Sequence, residues 1–428
     1  MKIAMFTNTY LPHVGGVARS VKTLEDGCRR HGHEVRVIAP EFEGMDESPD
    51  VLRLPAIQHF NGSDFSVRLP SPNVIHDFIE DFGPDIIHSH HPFLLGDAAL
   101  RESWKMQVPI VFTHHTLYER YTHYVPLDSP ALKRVAIQLA TEYANLCNQA
   151  IAPSESIARL LRERGVTTPI EAIPTGIDTG FFAAGNGRRF REKAGIPRDA
   201  RVIGHVGRLA KEKNLVFLAE AVAICLKHDP RAVFLVVGDG DDRGEMLKIL
   251  RQQAGGQRIH AAGKQSGTDL ADAYAAMDCF AFASQTETQG LVLAEAMAAG
   301  KPVVALDGPG VREIVKDGGN GLLLGGHASA AEFAAALGSI IHQPELSQLC
   351  SQNARETAQD YGAERCVRRM LHCYEQLIAR DGHPREADLS PWDRFLTGVG
   401  IEWELFVEKM SAASAAVMET PATKARLD

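Results

Sequence analysis

Short apolar runs of strand length alternate with helix-length segments from the first residues of this chain, and the alternation occurs twice. The first series of strand-type runs is 2–7, 34–39, 85–88, 109–113 and 150–152. The second series is 201–206, 232–237, 279–283 and 302–305. Strands separated by helices form parallel sheets that are covered on both faces. The pattern therefore predicts an α/β chain of two doubly wound, Rossmann-like domains.

The length of the chain and its turn-forming residues predict the domain boundaries. A chain of 428 residues exceeds one ordinary core, because domains usually contain about 100–200 residues. A stretch rich in Gly, Pro and Arg at 173–197 separates the two series. We expect an N-terminal domain over 1–175, a C-terminal domain over 176–362, a final helix over 363–380 that crosses back to the N-terminal domain, and an extension over 381–428.

Charge and cysteine content limit the partners and the compartment. The net charge is −9, and residues 1–170 carry 16 Lys and Arg against 20 Asp and Glu, which argues against a nucleic-acid partner. Seven cysteines without a C-x-x-C pair suit a reducing compartment. No stretch resembles a signal peptide or a membrane span of roughly 20 apolar residues. We expect a cytoplasmic protein, and peripheral contact with the inner face of the membrane stays open.

The loops after the strands hold the candidate site, because open α/β sheets bind ligands beyond the carboxyl ends of their strands. The first such loop contains Gly15 and Gly16. Adjacent glycines let the backbone approach a ligand, and the following helix directs its first N–H groups at an anion. Alone this pattern is weak, since many such loops carry glycine for steric reasons.

Two cations follow the first strand of the second series. Arg208 and Lys213 lie in the segment 207–214, where a diphosphate would fit. Arginine binds phosphate oxygens in bidentate fashion, and lysine adds a point charge. We expect both side chains to be exposed. The alternative is a solvated basic loop, which is the usual fate of a lone charge run.

A second strand-to-helix junction favours the diphosphate interpretation. Glu287 lies in its loop, and Glu295 lies eight residues later inside the helix, so the two carboxylates would contact different parts of an extended ligand. The amides of Gln289, Gly290 and Leu291 form the helix start, which favours an anion. Apolar neighbours predict that Glu295 is buried and therefore needs partners, for which ribose hydroxyls would serve.

Two groups of residues could suggest a metal site. Histidines cluster at 88–91 and 114–115, but the sequence places no carboxylate or cysteine beside them at ligand spacing. Asp239 and Asp241 form a D-x-D sequence that is also typical of a strand-end turn and helix cap. We expect no metal and no cofactor, and a sugar-facing histidine is favoured over a metal ligand.

Several of these residues, together with one histidine, form an ordered set. The set is Gly15, Gly16, His115, Arg208, Lys213, Glu287 and Glu295. It resembles the motif set of the retaining glycosyltransferases of family 4, whose GT-B fold has two Rossmann-like domains facing across a cleft. The likeness covers about residues 1–380, and the ordered set is far more specific than any one motif.

The resemblance implies that the C-terminal domain binds most of a nucleotide-sugar donor. Arg208 and Lys213 would neutralise the diphosphate, Glu295 would hold the ribose, and Glu287 would contact hydroxyls of the transferred sugar. The other implied donor contacts are Gly15 and Gly16 near the diphosphate, His115 beside the sugar, backbone amides of Gln289, Gly290 and Leu291, and the main chain of Gly263 and Lys264 at the nucleobase.

The resemblance also implies a reaction. Such enzymes keep the anomeric configuration, and a front-face route that needs no protein nucleophile is usually proposed for them. Fixed cations then stabilise the departing diphosphate. We expect a hexose to move from UDP-glucose or a similar donor to a hydroxyl of a small-molecule or lipid acceptor, because the segments 113–121 and 286–291 resemble the subgroup that glucosylates diacylglycerol.

Other functions stay open on the sequence alone. A nucleotide-sugar epimerase or a dehydrogenase has a similar shape, although residues 14–18 lack the G-x-G-x-x-G spacing of a dehydrogenase. A non-catalytic nucleotide-sugar-binding protein could use the same scaffold. The mixed segment 127–146 could touch lipid, but an ordinary core-facing helix is favoured.

Overall fold

The computed structural model contains two α/β domains, as predicted. It describes residues 1–13, 15–42, 44–45, 47–57, 67–68, 72–120 and 130–380. The helical pattern expected at 390–410 and the rest of the extension after residue 380 lie outside the described residues.

The strands fall into two parallel sheets and one short antiparallel pair. The N-terminal strands are β1 (Lys2–Phe6), β2 (Glu34–Pro40), β3 (Val51–Leu54), β4 (Ala56–Ile57), β5 (Val67–Arg68), β6 (Ile86–Ser89), β7 (Ile110–Thr113), β8 (Gln149–Ala152) and β9 (Ile170–Ala172). The C-terminal strands are β10 (Arg201–Val206), β11 (Ala232–Val237), β12 (Ile259–Gly263), β13 (Cys279–Phe282), β14 (Val303–Leu306) and β15 (Gly321–Leu324).

Helices connect the strands and cover both faces of each sheet. Those of the first half are α1 (Gly16–Arg30), α2 (Pro72–Glu80), α3 (Leu95–Met106), α4 (Pro130–Leu146) and α5 (Glu155–Glu163). Those that follow are α6 (Thr179–Ala183), α7 (Gly187–Lys193), α8 (Leu215–His228), α9 (Arg243–Ala254), α10 (Gly267–Ala276), α11 (Leu291–Ala298), α12 (Ala330–His342), α13 (Pro344–Asp360) and α14 (Ala363–Ala379).

The strand order of each sheet determines where a ligand can bind. The N-terminal sheet runs β3-β2-β1-β6-β7-β8-β9, and the C-terminal sheet runs β12-β11-β10-β13-β14-β15. The order reverses beside β1 in the first sheet and beside β10 in the second. Loops leaving neighbouring strands at such a switch point diverge to opposite faces and open a crevice. The loops after β1, β10 and β13 carry Gly15, Arg208 and Glu287.

Apolar residues of the strands form the cores on both sides of the sheets. Every residue of β6, β7, β8 and β11 is buried, as expected for parallel strands covered on both faces. Sequence reasoning did not identify β3, β4, β5, β9 and β15, and the residues of β3, β9 and β15 are mostly half-buried. These lie at or near sheet edges, where the apolar pattern is weaker.

Helix α14 packs on the N-terminal domain although it follows the C-terminal domain in the chain. Val367, Met370 and Tyr374 share a core cluster with residues of β1 and α1. Helices α1 and α14 approach each other closely at Gly27, where a Cβ atom would lie 2.3 Å from a methyl carbon of Val367. The chain enters and leaves the C-terminal domain side by side, because Ile177 donates its N–H to Tyr361 and accepts the N–H of Ala363.

Candidate active site

A cation and a carboxylate from two different loops meet at the switch point of the C-terminal sheet. The Nζ atom of Lys213 lies 2.6 Å from Oε1 of Glu287. Both side chains are largely buried, with 18% and 15% of their surface exposed. The expectation of an exposed side chain is therefore wrong for Lys213, because the loop of Glu287 covers it.

The pair is ionised. Burial opposes the charge of Glu287, but Lys213 outweighs it and holds the pKa of Glu287 below its usual value. His205 is buried near the pair, and its Nδ1 lies 3.1 Å from the carbonyl oxygen of Ala281. Burial is the main cause that lowers the pKa of His205 to about 4. Lys213 and Glu287 thus form a fixed charge pair above a neutral histidine.

Arg208 lies in the same loop and is more accessible. Its Nη2 is 2.5 Å from Oε1 of Glu212, and 39% of its side chain is exposed. The loop packs on the turn that follows β11. A Cβ at Gly238 would lie 1.9 Å from the carbonyl oxygen of Gly207, and a Cβ at Gly240 would lie 2.4 Å from the carbonyl oxygen of Leu209. Only glycine permits this approach.

The D-x-D sequence is therefore part of a turn that supports the Arg208 loop. Asp239 accepts the N–H of Gly240 with its side chain and the N–H of Leu209 with its carbonyl. Within the described ranges, no group of three His, Cys, Asp or Glu side chains is arranged to hold a metal ion.

The N-terminal end of α11 lies beside the charge pair. Gly290 precedes the helix with φ +77°, and a Cβ there would lie 2.9 Å from Leu293. The first N–H groups of a helix lack acceptors within it, so those near Gly290 and Leu291 can bind an anion. The side chain of Gln289 is tied to the interdomain connection, since it accepts the N–H of Thr175 and donates to its carbonyl oxygen.

Glu295 is buried inside α11, as its neighbours predicted, with 2% of its side chain exposed. Its Oε2 accepts the hydroxyl of Tyr274 at 2.7 Å, and its Oε1 lies 2.7 Å from Nη2 of Arg19. Arg19 belongs to α1 of the other domain. The carboxylate is thus held by one group from each domain.

The Gly-Gly loop of the N-terminal domain faces α11 directly. Helix α1 begins at Gly16, and a Cβ there would lie 3.9 Å from Cδ1 of Leu291. The start of α1 and the start of α11 therefore oppose each other, and we call the space between them and the neighbouring loops the cleft. Both helices present their N-terminal ends there, where negative charge is favoured.

His115 follows β7 and is tied to both domains. Its Nε2 lies 2.9 Å from Nδ1 of His90, and its carbonyl oxygen accepts the hydroxyl of Thr288 at 2.9 Å. Thr288 adjoins Glu287 in the chain, so His115 is positioned against the loop that carries the charge pair. Burial lowers the pKa of His115 to about 3, and the ring is neutral near pH 7.

Gly263 and Lys264 lie farther along the carboxyl edge of the C-terminal sheet. Gly263 ends β12 with φ +68°, and its carbonyl oxygen accepts the N–H of Gly238 at 2.8 Å. Lys264 is exposed. This edge is continuous with the Arg208 loop through the β11 turn, and the nucleobase contact expected of Gly263 and Lys264 stays a prediction.

The site also contains residues that sequence reasoning missed. Arg19, Tyr274 and Thr288 each contact a predicted site residue. Arg19 could have been found, because it follows Gly16 by three positions and therefore lies on the same face of α1. Tyr274 had no such signal, since it reaches Glu295 from a separate helix.

Besides His115 and His205, four further buried histidines make the folded state sensitive to acid. Burial lowers the pKa of His88, His91 and His114 from 6.5 to about 3, and it lowers that of His90 well below 6.5. Between these values the unfolded chain binds more protons than the folded one. The free energy of unfolding should therefore fall as pH falls below about 6.5, by about 1.4 kcal/mol per pH unit for each histidine.

Urea unfolding midpoints at about pH 7.5, 6.5 and 5.5 measure this dependence. His114→Gln should make the slope shallower, whereas His372→Gln, at an exposed position of α14, should leave it unchanged. Equal stability at the three pH values would contradict the prediction.

Two parallel-sheet domains that face each other at their carboxyl edges are the arrangement of GT-B glycosyltransferases. Residues 14–181 match the family model described as Glycosyltransferase Family 4, and residues 186–357 match that of Glycosyl transferases group 1. The chain belongs to glycosyltransferase family 4. The epimerase and dehydrogenase alternatives find no support, because both halves match glycosyltransferases.

Relatives and solved structures agree with this assignment. The alpha-monoglucosyldiacylglycerol synthase of Acholeplasma laidlawii is 29% identical over 395 residues, which are 89% of this chain and 98% of the relative. The GDP-mannose-dependent alpha-mannosyltransferase of Mycolicibacterium smegmatis is 30% identical over 332 residues, 76% of this chain and 84% of the relative. The structure of sucrose-phosphate synthase from Thermosynechococcus elongatus superposes with a TM-score of 0.72 at 22% identity, covering 89% and 99% of the two chains.

Proposed function

We propose that this glycosyltransferase moves glucose from UDP-glucose to a hydroxyl of diacylglycerol and retains the anomeric configuration. The meeting of Lys213 and Glu287 at the start of α11 carries the proposal. Lys213, proposed to bind the diphosphate, and Glu287, proposed to bind sugar hydroxyls, lie within hydrogen-bond distance of each other. Glucose and diacylglycerol follow the names of two relatives, the synthases of Acholeplasma laidlawii and Streptococcus pneumoniae, of which the chain covers 98% and 88%.

The charges of the cleft support a leaving-group mechanism. Negative charge develops on the diphosphate as the bond to the sugar breaks, and preorganised cations and helix starts stabilise it. Arg208 and Lys213 supply the cations, and the starts of α1 and α11 supply backbone N–H groups. The neutral ring of His115 lies beside the same loop and can exchange hydrogen bonds with sugar hydroxyls without adding charge.

The remaining donor contacts follow the same edge of the sheet. Glu295 would bind the ribose hydroxyls, because a carboxylate has about four acceptor sites and its described partners use two of them. The main chain at Gly263 and Lys264 would contact the base. Main-chain contacts can fit uracil or guanine, so GDP-mannose, named for the mannosyltransferase relative, is the competing donor.

The reaction should proceed without a metal ion, because Arg208 and Lys213 occupy the position at which a cation is needed. Treatment with EDTA should leave the rate of UDP release unchanged within about twofold. Removal of contaminating metal is checked by elemental analysis of the same sample. A rate that is lost with EDTA and restored by Mg²⁺ would contradict metal independence and direct attention to Asp239 and Asp241.

A lipid acceptor requires contact between the enzyme and a membrane or micelle. Among the helices in the described part of the chain, none is long and apolar enough to cross a bilayer. We infer peripheral contact through the N-terminal domain, since the acceptor must reach His115. Binding to vesicles that contain diacylglycerol, measured by co-sedimentation, tests this step.

A screen of donors against acceptors tests the whole proposal. Purified protein is incubated with UDP-glucose or GDP-mannose and with diacylglycerol, glycerol or inositol phosphate in mixed micelles, and products are identified by mass. We expect glucosyldiacylglycerol, whose anomeric proton coupling shows retention by NMR. Inversion would refute the retaining mechanism, and nucleotide binding without any product would favour a non-catalytic binding protein.

A further inference from the structure

The first turns of α1 and α11 contact each other at two points across the cleft. Gly16 faces Leu291, and one turn farther along both helices Arg19 contacts Glu295. The spacings are three residues in α1 and four in α11, so each pair of residues lies on one helix face. The Arg19 contact is therefore built into the way the two helices meet.

Arg19 supplies the positive charge that the buried carboxylate needs. Glu295 is 2% exposed, and Arg19 is its described cationic partner, at 2.7 Å. The attraction of Glu295 raises the pKa of Arg19, which is otherwise opposed by burial. Removing one partner of a buried ion pair leaves an uncompensated charge, which is costly.

The charge comes from the other domain, whereas the hydroxyl partner does not. Tyr274 lies on α10 of the same domain as Glu295 and donates to Oε2. If the domains separate, Glu295 keeps Tyr274 and loses Arg19. Closure of the cleft and orientation of this carboxylate are therefore coupled.

Arg19 has more hydrogen-bond donors than the contact with Glu295 uses. A guanidinium has five donors, and the ion pair with Glu295 is recorded through Nη2. The side chain is 38% exposed, so it borders the cleft and does not fill a sealed core. It can hold the carboxylate while ribose hydroxyls occupy the remaining acceptor sites.

We propose that Arg19 is a positioning residue for the donor nucleotide: it orients Glu295 for the ribose and couples ribose binding to closure of the two domains. The inference rests on the proposed function for the role of Glu295 as ribose ligand. The domain-closing part rests on the Arg19–Glu295 contact alone.

The first test measures nucleotide binding. Arg19→Met removes the charge and keeps an unbranched apolar stem, Arg19→Lys retains the charge, and Arg30→Met makes the same change as Arg19→Met at an exposed position at the end of α1. Isothermal titration calorimetry measures the affinity of each protein for UDP, GDP and 2′,3′-dideoxy-UDP, which lacks the ribose hydroxyls. In the wild type, UDP should bind much more tightly than its dideoxy analogue.

In Arg19→Met, UDP affinity should fall about tenfold, and the difference between UDP and dideoxy-UDP should nearly vanish. Arg19→Lys should recover part of the UDP affinity and part of the difference between the two ligands, and Arg30→Met should match the wild type in both. In turnover, the KM for the donor should rise while kcat stays within about threefold. Equal loss for UDP and dideoxy-UDP would show that Arg19 acts on another part of the nucleotide and would overturn the inference.

The second test does not depend on the donor. Small-angle scattering of unliganded protein should give a larger radius of gyration for Arg19→Met than for the wild type and Arg30→Met. Unchanged scattering together with unchanged UDP affinity would overturn the inference while leaving the proposed function intact. If the wild type binds neither UDP nor GDP, the proposed function and the ribose role both fail, and the scattering result alone decides whether Arg19 holds the domains closed.

Discussion

Arg208→Met and Lys213→Met should each lower kcat about 10²–10³-fold, the loss typical of removing one preorganised charge from a site where charge develops. Methionine is somewhat shorter than either side chain but keeps a flexible, unbranched apolar stem, so the change mainly removes the charge. Lys213→Arg should recover more activity than Lys213→Met. Release of UDP from UDP-glucose in the presence of diacylglycerol micelles measures the rate.

The structure predicts a loss of stability for both variants. Arg208 is 39% exposed, but its partner Glu212 is only 5% exposed, so Arg208→Met leaves a buried carboxylate without this cation and should cost about 1–3 kcal/mol. Lys213→Met leaves the largely buried Glu287 without this cation, which should cost about 1–3 kcal/mol. Urea unfolding measures both values.

A matched control separates catalysis from folding. Lys248→Met changes an exposed lysine of α9 in the same domain and should leave both kcat and stability near the wild-type values. If Arg208→Met lost activity only in proportion to a loss of folded protein, or if both variants kept more than a tenth of wild-type kcat, the cations would not stabilise the leaving group.

Glu287→Gln should lower kcat/KM for the donor about 10–100-fold, because hydrogen bonds to an ionised carboxylate contribute about 1.5–3 kcal/mol. Glutamine has nearly the same shape, but it replaces one of the two acceptor oxygens by an NH₂ donor and carries no charge. The effect should depend on the sugar: affinity for UDP-glucose should fall, whereas affinity for UDP alone should change little. Titration calorimetry with both ligands makes the comparison.

Coupling with Lys213 provides a further check on Glu287. The two side chains form an ion pair, so the effects of Lys213→Met and Glu287→Gln on donor binding should be non-additive in a double-mutant cycle. Glu220→Gln, at an exposed position of α8, is the control. An equal loss of UDP and UDP-glucose affinity in Glu287→Gln would place this residue at the nucleotide and not at the sugar.

Sequence patterns were informative where the physical cause is local. Buried parallel strands have a continuous apolar run, and the loops that follow them lie at the ligand-binding edge. For this reason the loops of Gly16, Arg208 and Glu287 could be identified in advance. The burial of Glu295 was also predictable from its apolar neighbours in α11.

Contacts between distant segments could not be read in this way. The pairing of Lys213 with Glu287 spans 74 residues of chain, and it made Lys213 a largely buried side chain where an exposed one was expected. Tyr274 and Arg19 reach Glu295 from two other helices, one of them in the other domain. Contacts between residues this far apart in the chain leave no periodic or spacing signal in a single sequence.

The amino-acid sequence by itself determined the two Rossmann-like halves and the loops at their carboxyl edges, because strand burial, turn residues and helix starts depend on neighbouring residues. The tertiary structure alone decided which charges neutralise each other. It paired Lys213 with Glu287 within one domain and Arg19 with Glu295 between the two domains. The second pairing forms because the packing of α1 against α11 brings the guanidinium of Arg19 to the buried carboxylate of Glu295.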